Sequence, residues 1–360
     1  MIADTYFHDY PLAHRIIHHD TYVDDCMSGE DTLQDRLEAT QQLEDCLAKG
    51  EFALKGFTFS GEPPDIKLSR DGESIKTFGL KWYSKEDYIM LNIGDVEPGP
   101  KIRERKILDK SGKVLTMTDC VSMVPGIFDP TGKVGPITAG LKLHVSALHR
   151  RGLKWGDEIP ENLRSVWKSN REMIKELSTL KYNRVLVPLD AKNLDITTID
   201  TGDSSGSLIC AAIYVRIERI NGLFSCQLIL ARTKVLPEGT STPRGELMGQ
   251  VLNAATGFTV ARALGKLHKK SFKLTDSTVA LSWISNEDAM LKTWVRTRVI
   301  ECRRLSSPAN WYYVESEDMV ADIGTRPGVK IPDVAQGSDQ WAQMDVCSRR
   351  RVSHLNIRPD

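Results

Sequence analysis

The chain has 360 residues, 41% of them apolar and 27% charged, and its 48 basic side chains are matched by 48 acidic ones. That is ordinary globular composition, enough for two or three domains at roughly 150 residues each, and it excludes a low-complexity or highly charged disordered chain. The absence of any apolar run of about 18 residues excludes a membrane-spanning helix, and seven cysteines without a CxxC pair exclude a zinc ribbon and argue against a disulfide framework.

Zero net charge does not announce a nucleic-acid partner, although basic residues gather at Lys101–Lys106, His149–Lys154, His268–Lys273 and Arg349–Arg351. The opening residues carry no signal-peptide pattern and read as text that starts in mid-domain. Residues 15–29 are expected to form two short strands around a tight turn, RIIHHD and then TYVDDCMSG. An amphipathic helix follows over 31–50, with Leu33, Leu37, Leu43 and Leu47 near one stripe and Gly50 as its stop. FALKGFTFSG reads as a strand, and KTFGLKWYSKEDYIMLNI as two. In 115–153, Pro130, Gly132, Gly135 and Pro136 make a loop before a helix from about Ile137 to His149. Residues 158–180 read as a further helix with Pro160 near its start.

From about residue 186 the pattern becomes β-rich. ITTID, SLICAAIYVRIERI and GLFSCQLILARTKV are three strands, the last two joined through Asn221-Gly222, a strong hairpin signal. A long helix is expected over Pro243–Leu264 with the stripe Leu247, Val251, Ala254, Phe258 and Ala261. Then come strand KSFKLTD, helix STVALSWI, helix Leu291–Leu305, strand ANWYYV and helix Glu317–Gly324. Three strands, helix, strand, helix, strand, helix is the element order of a ribonuclease-H-like sheet. Residues 331–360 read as a loose tail.

Phosphodiester hydrolysis with paired Mg²⁺ needs carboxylates that converge on one point, where two ions about 4 Å apart hold the attacking water and the leaving oxygen in line. Four acids stand at element ends from which they could reach such a point: Asp203 after the first strand, Glu246 in the first turn of the long helix, Asp276 after the fourth strand and Asp322 on the last helix. Each also has a bland role open to it. Asp203 could be a turn residue, Glu246 a helix-start acid, Asp276 a linker beside a capping Ser277, and Asp322 a surface acid paired with Arg326. Asp200 rivals Asp203 as the first carboxylate. Residues 200 and 203 face opposite sides of an extended strand, so one of them at most points at the metals.

Several phrases of the sequence together resemble BEL/Pao-type LTR retrotransposon polyproteins. DSSGSLICAAIYVR resembles the first-strand motif of their ribonuclease H domain, STPRGELMGQVL the helix that carries the glutamate, LTDSTVALSWI the third motif and WYYVESEDMVADIGTRPG the last. TYVDDCMSG resembles the YxDD hairpin of a reverse transcriptase palm, FGLKWYSKEDY the segment after the thumb, and GIFDPTGKVGPITAGLKL a long connection. The likeness runs over roughly residues 15–345. It implies an α/β chain divided into a reverse transcriptase palm remnant with the start of a thumb (1–62), a thumb- or connection-like region (63–185), a ribonuclease-H-like domain with a mixed five-stranded sheet (186–330) and a tail (331–360). It implies Asp203, Glu246, Asp276 and Asp322 as ligands of two Mg²⁺ or Mn²⁺ ions, and Asp24 and Asp25 as polymerase metal ligands. Lys266, Lys269, Lys270 and Lys273 would contact the phosphates of an RNA–DNA hybrid. Only 21 residues precede Tyr22, too few for the fingers and the earlier palm carboxylate. No polymerase activity is therefore expected without the remainder of the polyprotein, and the expected setting is intracellular, cytoplasmic or nuclear.

The chain departs from the family pattern at Thr201, where an aromatic is usual, at Ser204 in place of alanine, at Gly245 in place of a bulky apolar residue, and at Tyr313 and Met319 near the end. These departures fit a drifting copy. Two further motifs have readings of their own. Asp200-Thr201-Gly202 resembles the signature of an aspartic protease, but such a protease would precede the polymerase. HDYPLAHRIIHHD holds four histidines in thirteen residues without a cysteine partner or HExxH spacing, and reads as surface or strand-pair histidines. The seven tryptophans read as packing residues.

Overall fold

The computed structural model describes residues 2–23, 25–60, 75–92, 115–164, 179–286 and 290–326, which fall into two compact units, Met1–Asn92 with Lys181–Arg184, and Ile93–Leu180 with Val185–Asp360.

In the first unit, helices α1 (Ile2–Thr5), α2 (Pro11–His19) and α3 (Leu33–Ala48) surround a small core of Ala13, Ile16, Ala39, Leu43 and Cys46. The segment RIIHHD, expected as a strand, is the second half of α2. Pro11 sets its first turn, and Ala13 and Ile16 bury its inner face. The hairpin is correspondingly reduced to β1 (Thr21–Tyr22) and β2 (Asp25–Cys26). Thr32 caps α3 by accepting a hydrogen bond from the Asp35 backbone N–H. FALKGFTFSG forms no strand over its described residues, 52–60. Strands β3 (Ile75–Thr77), β4 (Leu80–Tyr83), β5 (Tyr88–Leu91) and β6 (Tyr182–Asn183) make a second sheet in that order, with three strands where two were expected in 76–93.

The second unit is built on a sheet of five strands: β7 (Ile196–Ser204), β8 (Leu208–Glu218), β9 (Phe224–Val235), β10 (His268–Thr275) and β11 (Trp311–Tyr313). Their spatial order is β11-β10-β7-β8-β9; β7, β8 and β9 pair antiparallel, and β10 runs parallel to both β7 and β11. This mixed sheet is consistent with a ribonuclease-H-like fold. Gly222, with φ of 79°, turns the β8–β9 hairpin as expected. Helices α4 (Met117–Gly126) and α5 (Gly135–Arg150) precede the sheet. The loop between them lies along β9, where the Ala231 N–H donates to the Thr131 carbonyl at 2.8 Å and the Lys133 ammonium donates to the Leu228 carbonyl at 2.7 Å. The segment 117–150, expected in a connection region, therefore packs with the sheet. The expected helix over 158–180 is helical at 161–164, and 165–178 lie outside the described residues, as does the tail expected over 331–360.

Helix α6 (Thr242–Leu264) crosses one face of the sheet. The expected stripe is only half right: Leu247 and Ala254 are buried, but Phe258 is exposed. Two sides of α6 are covered at once. Leu247, Val251 and Ala254 pack on α7 (Thr278–Ser285) and α8 (Thr293–Leu305). The side toward β7 is polar and small, with Gly249, Gln250, Asn253, Thr256 and Gly257. At Gly249 a Cβ would lie 2.8 Å from the Asp203 carbonyl oxygen, so only glycine lets the helix backbone come this close to the strand end. Gln250 fastens the contact by donating to the Gly202 carbonyl at 2.8 Å and to the Thr275 hydroxyl at 2.9 Å. The last expected helix, Glu317–Gly324, is instead two tight 3₁₀ turns, Ser316–Asp318 and Val320–Gly324. Met319, Val320 and Ala321 pack onto the opposite face of the sheet with Ile199, Cys210 and Ala212.

Candidate metal centre of the five-stranded sheet

Three elements end at one place. Asp203 lies at the end of β7, Asp276 directly follows β10, the parallel neighbour of β7, and Glu246 lies one turn before the Gly249 contact on α6. One carboxylate oxygen from each of the three lies within 4.8 Å of the other two. The mechanism of convergence is local. Parallel pairing brings two strand ends to the same edge, and the close approach at Gly249 presents the helix start to that edge.

The fourth expected acid, Asp322, stands in the second 3₁₀ turn and is outside this group of three. Its carboxylate is ion-paired with Arg326, the partner expected for it as a surface acid. It is nevertheless close enough to Asp203 for the two charges to repel. Thr325 links the two. Its buried hydroxyl donates to Asp203 Oδ2 at 2.6 Å and lies 3.0 Å from the Asp322 carbonyl oxygen. Ser316, in the preceding turn, donates to Asp276 Oδ2 at 2.8 Å. Neither hydroxyl was foreseen from the sequence. Thr325 lies in a quoted motif, but nothing in one sequence indicates that its hydroxyl would meet a carboxylate 122 positions earlier.

The electrostatics are those of a site short of positive charge. Burial, followed by repulsion from Asp203 and Asp276, pushes the Glu246 carboxyl up to about 8. Burial raises Asp203 as well, the hydrogen bond from Thr325 opposes that rise, and Asp276 and Asp322 add to it. Among the described residues, Glu246 Oε2 is buried without a hydrogen-bond partner, which is expensive unless something charged completes it. An all-oxygen, all-carboxylate donor set suits a hard divalent cation of the Mg²⁺ or Mn²⁺ type. The residues present fit such an ion.

Asp200 resolves differently. It is fully buried on the other face of β7, and the Lys273 ammonium, also buried, donates to its Oδ2 at 2.6 Å. Lys273 was expected to touch phosphates, but a side chain 2% exposed cannot reach them. The cross-strand register Lys273↔Asp200 places it in the sheet instead. Lys266, Lys269 and Lys270 are exposed at the opposite end of β10 from Asp276, roughly 20 Å away at about 3.3 Å per residue. Lys269 lies 3.5 Å from Asp195, and Lys270 sits over the Phe272 ring. Nearer the carboxylates, the sequence reading missed Arg244, two residues before Glu246. Its guanidinium lies over one side of the Trp294 ring at 4.9 Å, and Arg298 lies 3.6 Å from the same ring.

In the first unit, Asp25 accepts a hydrogen bond from the Phe78 backbone N–H at 3.0 Å. It joins no group of three ligands among the described residues, and Asp24 lies outside them.

Residues 116–277 match the family described as "Pao retrotransposon-like RNaseH-like domain". The match covers α4, α5, the four strands β7–β10 and α6, so it takes in Asp203, Glu246 and Asp276. Among curated proteins no match is found. Among solved structures, the foamy viral protease–reverse transcriptase in complex with an RNA/DNA hybrid is 13% identical, with a TM-score of 0.46 over 91% of this chain and 38% of that one. The N-terminal ribonuclease H domain of a Mycobacterium tuberculosis protein, fused to maltose-binding protein, is 14% identical, with a TM-score of 0.26 over 41% of this chain and 99% of that one. Ribonuclease H1 of Halobacterium salinarum is 12% identical, with a TM-score of 0.24 over 35% and 90% respectively. The chain thus spans well under half of the viral protein. No described helix is long and apolar enough to cross a membrane.

Proposed function

We propose that the second unit is a ribonuclease H that hydrolyses the RNA strand of RNA–DNA hybrids, using two Mg²⁺ or Mn²⁺ ions. Asp203, Glu246 and Asp276 hold the ions and Asp322 completes the set. The observation that carries this reading is the meeting of three carboxylates, one with a buried unpaired oxygen, at the shared end of two parallel strands. Bound divalent ions supply Lewis acidity and a water acidic enough to attack at neutral pH. The chain's own groups do the rest. Asp203, fixed by Thr325, and Asp276, fixed by Ser316, hold their oxygens in place before substrate arrives, so little reorganisation remains at the moment of reaction. Glu246, raised to about 8, keeps its proton at neutral pH until a cation takes its place. Hydrolysis joins the water oxygen to phosphorus and releases the ribose oxygen.

The hybrid would be gripped through its phosphates, with the 2′-hydroxyl marking the strand to cut. Lys266, Lys269 and Lys270 would serve a far stretch of duplex, and Arg244 and Arg298 the stretch nearest the carboxylates. The likeness to BEL/Pao elements supports a parent polyprotein with a reverse transcriptase to which Asp24 and Asp25 would contribute. On that reading the chain needs the remaining polymerase segments to copy RNA, and it acts inside the cell.

A second reading has its own support. The Arg326 pairing of Asp322 and the departures at Ser204 and Gly245 also suit a catalytically dead remnant that still binds nucleic acid. Cleavage of a labelled hybrid in Mg²⁺ separates the two. The expected result is cutting by the native chain. In Asp276→Asn it should fall roughly thousandfold, the order of effect that several kcal/mol of metal-borne stabilisation supports, with hybrid binding largely intact. Binding without cutting in the native chain favours the remnant, and undiminished cutting by Asp276→Asn removes the metal assignment.

A further inference from the structure

The histidine-rich segment of the first unit has no part in the proposed nuclease, and its geometry points to a second, chemically different metal site. We propose that Asp4, His14 and His18 form a binding site for a borderline divalent cation of the Zn²⁺ type, which ties α1 to α2.

His14 and His18 are four residues apart on α2 and so share one face. Both present Nε2 to the same carboxylate oxygen, Asp4 Oδ1, at 3.3 and 2.8 Å. The three ligand atoms all lie within 4.8 Å of one another. A tetrahedral Zn²⁺ with ligands at about 2.0–2.1 Å sets them roughly 3.4 Å apart. The His14 distance is already close to that value, and the His18 distance has to open by about half an ångström.

The packing explains why the cluster forms. Ile2 enters the core beside Ala13 and Ile16, and this sets α1 against α2. Asp4, two residues on, then points away from that core toward the adjoining face of α2. The Phe7 ring meets the His14 ring edge-on, with centroids 4.7 Å apart, and fixes its direction. The two imidazole rings lie 4.4 Å apart. A single aspartate–histidine hydrogen bond would account for one imidazole. Two imidazoles directed at one oxygen make a three-atom donor set. The side chains are 27–49% exposed, so a cation can enter and a water can complete the shell. The nitrogen content separates this site from the carboxylate cluster, because imidazole suits Zn²⁺ and disfavours Mg²⁺.

The test is titration of the whole chain with Zn²⁺ in millimolar Mg²⁺, which occupies the all-carboxylate cluster. Affinity is read by competition with a chelator and location by hydrogen exchange. One Zn²⁺ per chain is expected, with slowed exchange at residues 2–5 that Mg²⁺ alone does not produce. His14→Gln and His18→Gln should each weaken binding at least tenfold, and Asp4→Asn, on the other helix, should do the same. Asp203→Asn should leave it unchanged. The proposal is overturned if no Zn²⁺ binds in the presence of Mg²⁺, or if the three variants bind as the native chain does. It is equally overturned if His8→Gln or His19→Gln, and not these three, removes the site. Far-UV circular dichroism of each variant identifies any loss that is unfolding, and Asp4→Asn then decides alone.

Discussion

The two faces of β7 put the same residue to opposite uses. Asp200 sits mid-strand against α6, where a buried lysine neutralises it at 2.6 Å. Asp203, three residues later and on the other face, is gathered with two further acids and, among the described residues, has a hydroxyl but no cation for a partner. The first site is closed within the chain, and on the proposed reading the second is completed by a cation from outside. Burial of a carboxylate is therefore no sign of function by itself. What marks the candidate site is that its charges are gathered and left uncompensated.

Removing one charge from each site tests that contrast most directly. Asp200→Asn leaves a buried ammonium without its partner and should destabilise the fold by about 3–5 kcal/mol, read as a lower midpoint in urea. Glu246→Gln should act with the opposite sign at pH 9 without metal. It removes a carboxylate that Asp203 and Asp276 repel, so the midpoint should rise while cleavage is lost. Equal signs for the two variants would dissolve the distinction between the two sites.

A pH series sharpens it. Burial and its acidic neighbours raise Glu246 from 4.5 to about 8, so the folded chain holds this proton more tightly than the unfolded one. The resulting stability is complete below 4.5 and is lost as pH rises to about 8, because the unfolded state then releases the proton freely. Asp203, also raised, acts in the same direction. Metal-free protein should therefore lose stability across this window. Mg²⁺ should restore it, with a larger thermal shift at pH 8.5 than at pH 6.5. A shift independent of pH would mean that the ion binds elsewhere.

How much of this was legible in the sequence follows from the range of the interactions involved. Hairpin and strand signals are local, and Asn221-Gly222 and the order of the five strands were read correctly. RIIHHD was misread because the stripe that makes it helical begins upstream, at Pro11 and Ala13. The last motif was read as an α-helix, but Met319–Ala321 bury against the sheet through tight turns that no periodicity announces. The inner face of α6 escaped the stripe because it is polar: Gln250 and Asn253 bond to strand atoms 48 and 53 positions away. Asp203, Glu246 and Asp276 stood out as acids at element ends. Lys273 was misassigned because a lysine on a strand carries no mark of its buried partner until the register with Asp200 is known.

Smaller effects probe how the site is held. Thr325→Val removes the donor to Asp203 while keeping the side-chain shape. A hydrogen bond to a charged acceptor is worth about 1.5–3 kcal/mol, so cleavage should fall by roughly 10- to 100-fold. The Mg²⁺ dependence should shift to higher concentration, and Thr325→Ser should recover most of the rate. If Thr325→Val lowers stability but leaves the Mg²⁺ dependence unchanged, the hydroxyl supports the turn and does not orient Asp203.

The finest test lies where two departures from the family pattern meet in space. Ser204 follows Asp203, and Gly245 precedes Glu246. A Cβ on Gly245 would fall 2.5 Å from Ser204 Oγ, so the serine hydroxyl stands where a larger helix residue would project. Alanine for glycine ordinarily favours a helix by up to about 1 kcal/mol. Here Gly245→Ala alone should gain less than that or turn destabilising, and Ser204→Ala should release the gain. The double-mutant cycle should therefore show a coupling of about 0.5–1 kcal/mol. Strict additivity would mean that the two departures are independent, and that the start of α6 has room to spare beside the strand that carries Asp203.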